Sequence, residues 1–440
     1  MISTLSTLAD RLSKRTLLRH ALFLGIALLS IWANGYHFGT FDQAVHIPFL
    51  KKIADPSLYP TDAFLNLRGE HYSFFWLMFI PAYRAGLLEV AMFTVHLLAT
   101  YGLVWMFWEL TDTLFHNNLA NLLSIILLVS PHFGMPGFEI VEFSLLNRTF
   151  ALPVILGAII LYLRRRYTPA FLLLGVIFNI HVIYVGFAMV MILFDFFIRL
   201  IQLEWKNILK GIAFFIIGAL PVLVWRSGGT PIDLQVRPDV LKLASSALLA
   251  GVYYVFLPST QILISSLHGI ATLLFFLLGK RVNLSAHDQA MTNFVLAIGA
   301  VLFVQLITTY WFPIVFILQL QILRIGVFLL LIGYIYFAGY LAKRLQQGSL
   351  KGLPGWLVTL SFVAYPSPLL PLVFLALNQW LAKHRWRQWA SGIVFGLVGL
   401  FTLIACFVFG IWSPGFHLYE PKTFWTQTQD WARSPEQNWS

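Results

Sequence analysis

The residues best suited to chemistry lie in one stretch, 35–70, directly after the first apolar segment. Asp42 and His46 are spaced i,i+4, so a helical turn puts carboxylate and imidazole on one face until Pro48 ends it. Such a pair can act as a general base or supply part of a metal site. The stretch also holds Asp55, Asp62 and Glu70, so four of the chain's 18 acidic residues fall in under a tenth of its length. Asp55-Pro56 and Thr61-Asp62 read instead as turn and helix-cap chemistry.

A second group of polar residues sits where water is scarce. His96, Asn179, His181, His268, Gln305, Gln319, Gln321 and Arg324 all interrupt apolar runs. Such groups face a cavity or a neighbouring helix, and a lone His or Gln is commonly an interhelical hydrogen bond. Arg324 stands apart. In a helix over 314–341 it lies about 15 Å from the start, too deep to snorkel easily, with Gln321 one turn away on the same face. A guanidinium there needs an anion, either an acid folded in from a loop or a ligand such as a lipid phosphate.

The elements that must position these residues follow from composition. Of 440 residues, 59% are hydrophobic and only 11% charged, against about 25% charged in a soluble domain. Repeated apolar runs near 20 residues imply an all-α, polytopic transmembrane bundle. The net charge of +11 is carried by short basic clusters between the spans, so it marks cytoplasmic loops and not nucleic-acid binding. Cys406, alone in an apolar run, offers neither a disulfide nor a thiol metal site.

Placing every basic cluster on one side gives about thirteen spans. The N-terminus, with Arg11, Lys14, Arg15 and Arg19, is cytoplasmic and includes a short amphipathic helix. The first external loop covers 35–87, and its apolar part 72–83 is too short to cross, so it lies in the interface. Spans follow at 88–110 and 119–131, and another leads from Asn147 to Arg164-Arg165-Arg166. A short pair at 169–181 and 182–200 turns near Asn179, with later spans at 208–225, 290–309, 314–341 and 390–412. One membrane domain, 1–412, is expected, with 413–440 as a short external tail. Gly392-x-x-x-Gly396 reads as helix packing.

The order of these features resembles the GT-C class of membrane glycosyltransferases, in a bacterial branch. The residues that carry the resemblance are Gly35-Tyr36-x-x-Gly39-x-x-Asp42-Gln43-x-x-His46 and Asp55-Pro56-Ser57-Leu58-Tyr59-Pro60-x-Asp62. Asn147-Arg148 leading into a span, and then Asn179-Ile180-His181, belong to the same pattern. The resemblance implies a transferase of the cell envelope, in the bacterial inner membrane, using a sugar on a polyprenyl phosphate and an acceptor of unspecified kind. It implies Asp42 as the base on the acceptor hydroxyl and Arg324 with Gln321 as the holders of the donor phosphate. His46, His181 and Arg148 become further substrate contacts. The acid pair that holds metal in oligosaccharyl and some mannosyl transferases is not evident, so no cofactor is assigned and a divalent metal stays open. The tail from Asp430 to Pro435 resembles the opening of a segment that relatives continue, which implies a shortened member. The alternative is a transporter or flippase for an amphiphilic anion or lipid-linked glycan, for which a central Arg also serves.

Overall fold

The computed structural model describes residues 2–40, 42–66, 73–135, 139–200, 205–229, 231–239, 259–350 and 352–382, with 396–397, 400 and 416–417 beyond them. The described chain is helical apart from one short pair of strands. Helices α1 (Ile2–Lys14) and α2 (Thr16–Asn34) lead to strand β1 (Tyr36–His37), then α3 (Asp42–Ala54), α4 (Ala63–Asn66) and α5 (Ile80–Arg84). The long α6 (Leu88–Phe115) is followed by α7 (Asn118–Ile126), α8 (Asn147–Leu163), α9 (Tyr167–Phe178), α10 (Val182–Ile198) and α11 (Trp205–Ser227). Next come α12 (Ser259–Val282), α13 (Asp288–Tyr310), α14 (Val315–Gln319), α15 (Gly326–Gln346), α16 (Gly352–Ala364) and α17 (Leu369–Ala382).

Among the described residues five helices are long and apolar enough to cross a bilayer: Thr16–Asn34, Leu88–Phe115, Trp205–Ser227, Asp288–Thr309 and Ile322–Gln346. These cover expected spans. Others are too short to cross alone: the 12 residues of α9 reach about 18 Å against a hydrocarbon core of ~30 Å. Most of the expected span at 390–412, including Gly392, and nearly all of the tail lie outside the described residues.

The bundle is organised around α15. Its membrane window is buried throughout, so protein surrounds it on every face. Close approach needs small residues: a Cβ on Gly279 of α12 would sit 2.2 Å from the Tyr336 carbonyl oxygen of α15. One buried carboxylate is paired across helices. Asp195 of α10, fully buried, accepts from Tyr162 of α8 at 2.7 Å and Asn293 of α13 at 2.8 Å, and pairs with Arg199.

Asn179 ends α9 and repairs a neighbour. Pro221 inside α11 has no N–H, and the ladder beside it is open. The Asn179 amide fills the gap, accepting from the Val222 N–H at 2.9 Å and donating to the Gly218 carbonyl at 2.7 Å. His268 meets Ser367 at 2.9 Å, and Gln305 donates to Thr309 of its own helix at 2.7 Å. His96 is fully buried, and neither ring nitrogen has a hydrogen-bond partner among the described residues.

Two expectations need correction. Pro48 does not end the turn that begins at Asp42; α3 continues through it to Ala54. The segment 314–341 is not one helix. Val315 and Phe316 donate to the Gln235 and Asp233 carbonyls of a neighbouring loop, at 3.1 and 3.0 Å, which holds the start of α14 against that loop. Gln321 then adopts a left-handed conformation (φ 48°), and Ile322–Ile325 form a 3₁₀ turn before α15 begins. Arg324 therefore stands at the head of the buried helix, not in the middle of a span.

Candidate functional site

Three segments meet above α15, and backbone contacts set their register before any charge is paired. The His37 N–H donates to the Phe143 carbonyl at 2.8 Å, tying the first loop to the segment that precedes α8. Gln43, fully buried, accepts from the Gly39 N–H and donates to the Leu145 carbonyl, both at 2.8 Å. Locking Gln43 fixes the first turn of α3 and so aims Asp42 at the start of α8.

Arg148 lies in the first turn of α8 and is the centre of the site. Its Nη1 donates to Asp42 Oδ2 at 2.7 Å, while Nε and Nη2 grip Glu142 Oε1 and Oε2 at 2.5 and 2.8 Å. The fork on Glu142 is bidentate, the strongest geometry a guanidinium offers a carboxylate. The Arg148 and Glu142 side chains are 10% and 15% exposed, whereas Asp42 is 47% exposed. So Glu142 anchors the arginine and Asp42 presents an open oxygen.

The electrostatics follow from that arrangement. Burial pushes the Asp42 carboxyl up, but the charge and hydrogen bond of Arg148, then Arg324 and His46, more than offset it and leave it below the ordinary carboxylate range. Asp42 is ionised at neutral pH. Glu139 behaves oppositely: burial, then the charge of Glu142, lifts it to about 8, and its buried Oε2 has no hydrogen-bond partner among the described residues. Arg324 lies within electrostatic reach of Asp42, Glu142, Tyr184 and Arg148. At neutral pH two guanidinium groups therefore face two carboxylates, with Glu139 protonated beside them.

The structure brings together Asp42, Arg148 and Arg324 from the sequence-derived set. Gln321 adjoins Arg324 through its backbone, its carbonyl accepting from the Arg324 N–H at 3.0 Å. His46 stacks on Trp76, ring centroids 4.8 Å apart, one turn below Asp42. His181 caps α10: its Nδ1 accepts from the Tyr184 N–H at 3.0 Å, and its ring meets Tyr184 edge-on at 4.7 Å. That makes His181 a support for Tyr184, which lines a small cavity with Glu139, Glu142, Arg148 and Thr100. Asp55 and Asp62 do turn and cap work, accepting from the N–H groups of Ser57 and Leu65, each at 3.0 Å.

Glu142 and Glu139 had no role assigned from the sequence, and Gln43 entered there only as a member of the first-loop motif. The signal for the two acids was their place in a Pro- and Gly-containing loop that runs directly into the span bearing Arg148. Among the described residues no three His, Cys, Asp or Glu side chains gather to hold a metal ion. The described chemistry is thus an ionised, half-exposed carboxylate beside two fixed cations. It can accept a proton and bind an anion. Comparison of the chain with family models, curated proteins and solved structures gives no match.

Proposed function

We propose that the protein is a GT-C-type membrane glycosyltransferase. It moves a sugar from a polyprenyl-phosphate donor to an acceptor on the extracytoplasmic side of a bacterial inner membrane. In this reading the chain crosses about thirteen times, with the N-terminus cytoplasmic and the tail outside. Strand β1 pairs in parallel with β2 (Phe416–His417), which supports having the first loop and the tail on one side.

One observation carries the proposal: Asp42, ionised and half exposed on a loop helix, is held by Arg148 within the field of Arg324 at the head of the most buried helix. As the bond from the sugar carbon to the donor phosphate oxygen breaks, its electron pair stays on the phosphate, and Arg324 offsets the growing charge. The acceptor hydroxyl oxygen bonds to that carbon and its proton passes to Asp42. A carboxylate of lowered basicity suits a late transfer, once the acceptor oxygen carries positive charge. Arg148 and Glu142 position the base and touch neither reactant.

The test is release of polyprenyl phosphate from labelled polyprenyl-phosphate sugars by protein in proteoliposomes. Wild type should release it and Asp42→Asn should not; equal release by both would end the assignment. The broken segment Val315–Ile325 favours a second reading, an anion transporter, since discontinuous helices also build transport sites. In the same proteoliposomes a transporter would move the labelled lipid across the bilayer uncleaved.

A further inference from the structure

A groove of about 600 Å³ runs between α6, α8 and α9, on the side of α8 away from the Arg148 cluster's cavity. Its walls include Leu98, Trp105 and Met106 of α6, Val154 and Leu161 of α8, and Leu173 of α9. On α6 the lining runs from Leu98 to Glu109, about 16 Å at 1.5 Å per residue, and on α8 from Phe150 to Arg164, about 21 Å. One leaflet of hydrocarbon is about 15 Å thick, half of the bilayer core. The groove has the length of one acyl chain in one leaflet. Leu98 and Trp105 are exposed along it, 60% and 37%, so it opens to the lipid phase.

One end of this apolar channel is charged. Arg164 lines it there, donating to Glu109 Oε2 at 3.1 Å and to Thr113 at 2.9 Å. Helix α8 ends at this point with Arg165 in a left-handed conformation (φ 58°), and Arg164, Arg165 and Arg166 are all exposed. His287 lies in the field of His116, Arg199, Arg164 and Arg165, so positive charge gathers near this end of α8. Glu109 answers one of the three arginines in the turn, which leaves a positive excess where a lipid headgroup would lie.

We infer that this groove is a binding site for an anionic phospholipid, one acyl chain lying between α6 and α8 and the phosphate resting on the Arg164–Arg166 turn. A chain of that length satisfies the apolar walls, and a phosphate satisfies the rim; a neutral headgroup would meet only the walls. Basic pockets between transmembrane helices bind such headgroups, and the gain falls with salt. The site is independent of the transferase reading, because it uses none of Asp42, Arg148 or Arg324.

Native mass spectrometry of the detergent-purified full chain tests it, with phosphatidylglycerol and phosphatidylcholine of matched chains as probes. Wild type should retain phosphatidylglycerol at least about tenfold better, a ratio that two or three arginines near a surface supply. The Arg165→Ala/Arg166→Ala variant, which leaves the Arg164–Glu109 pair in place, should lose that preference while still holding either lipid weakly. Val154→Trp, which sets an indole into the groove partway along its length, should weaken retention of both lipids. Equal retention of the two lipids by wild type overturns the proposal, and that arm needs no variant to fold. Retention by Val154→Trp at the wild-type level also overturns it, since the lipid would then lie on the rim alone.

Discussion

Arg148 and Glu142, six residues apart, meet through two parallel hydrogen bonds at 2.5 and 2.8 Å with both side chains largely buried. Asp42 takes the remaining arm of the same guanidinium. The pairing gives the three charges unequal roles. Removing Glu142 strands a buried cation, and the cost of breaking such a pair is about 3–5 kcal/mol. Glu142→Ala should therefore lower the unfolding free energy by roughly that amount. The Asp42 contact, half exposed, should matter much less to stability. Thermal unfolding of both variants in one detergent decides it; a larger loss for Asp42→Asn would reverse the assignment.

Asp42→Asn should instead act on turnover. Positioned proton transfer contributes about 10²–10⁴-fold, so donor cleavage should fall in that range while the melting profile stays close to wild type. A loss of tenfold or less would make Asp42 an auxiliary group.

Glu139 gives the site a pH dependence of definite sign. Its folded-state pKa, raised by burial and by Glu142 to about 8, exceeds the value in the unfolded chain. The protonated carboxyl's contribution to stability is complete below the unfolded value near 4.5 and is lost as pH rises through about 8. Glu139→Gln should flatten the stability profile across that window, a change read by chemical denaturation at pH 5 and pH 9. An unchanged slope would mean that Glu139 ionises freely in the folded protein.

Arg324 separates a ligand role from an internal one. If its anion is the donor phosphate, Arg324→Leu should leave stability unchanged or raised and abolish stabilisation by added polyprenyl phosphate. Arg324→Lys should recover that effect only in part, because an ammonium lacks the planar fork. If the loop acids Asp42 and Glu142 are its balance, Arg324→Leu should cost several kcal/mol and wild type should ignore the lipid.

Asn179→Ala tests the helix repair beside Pro221. It leaves the Val222 N–H and the Gly218 carbonyl unpaired within the bundle, and a loss of about 1–3 kcal/mol is expected for such groups. Asn179→Asp should recover only the acceptor half, since a carboxylate can still take the Val222 N–H. Loss of under about 0.5 kcal/mol in Asn179→Ala would show that water serves the same groups.

Hydropathy is a local property, and it determined the helical membrane class of this protein without reference to any contact. The bounds expected for α6, α11 and α13 from apolar runs lie within a few residues of the helices themselves. Asp55 and Asp62 were legible for the same reason, because turns and caps are satisfied within three residues. The first loop stood out by composition, and with it Asp42. The partner of Asp42 was another matter. Arg148 is 106 positions away, and which acids it would choose depends on how the segment before α8 docks on β1 and on Gln43. The break at Gln321 was hidden likewise: it accompanies backbone hydrogen bonds from 315–316 to a loop near 233–235, about 80 residues earlier in the chain. Charge pairing and helix interruption here are settled between segments remote in sequence. Only the tertiary structure could decide them.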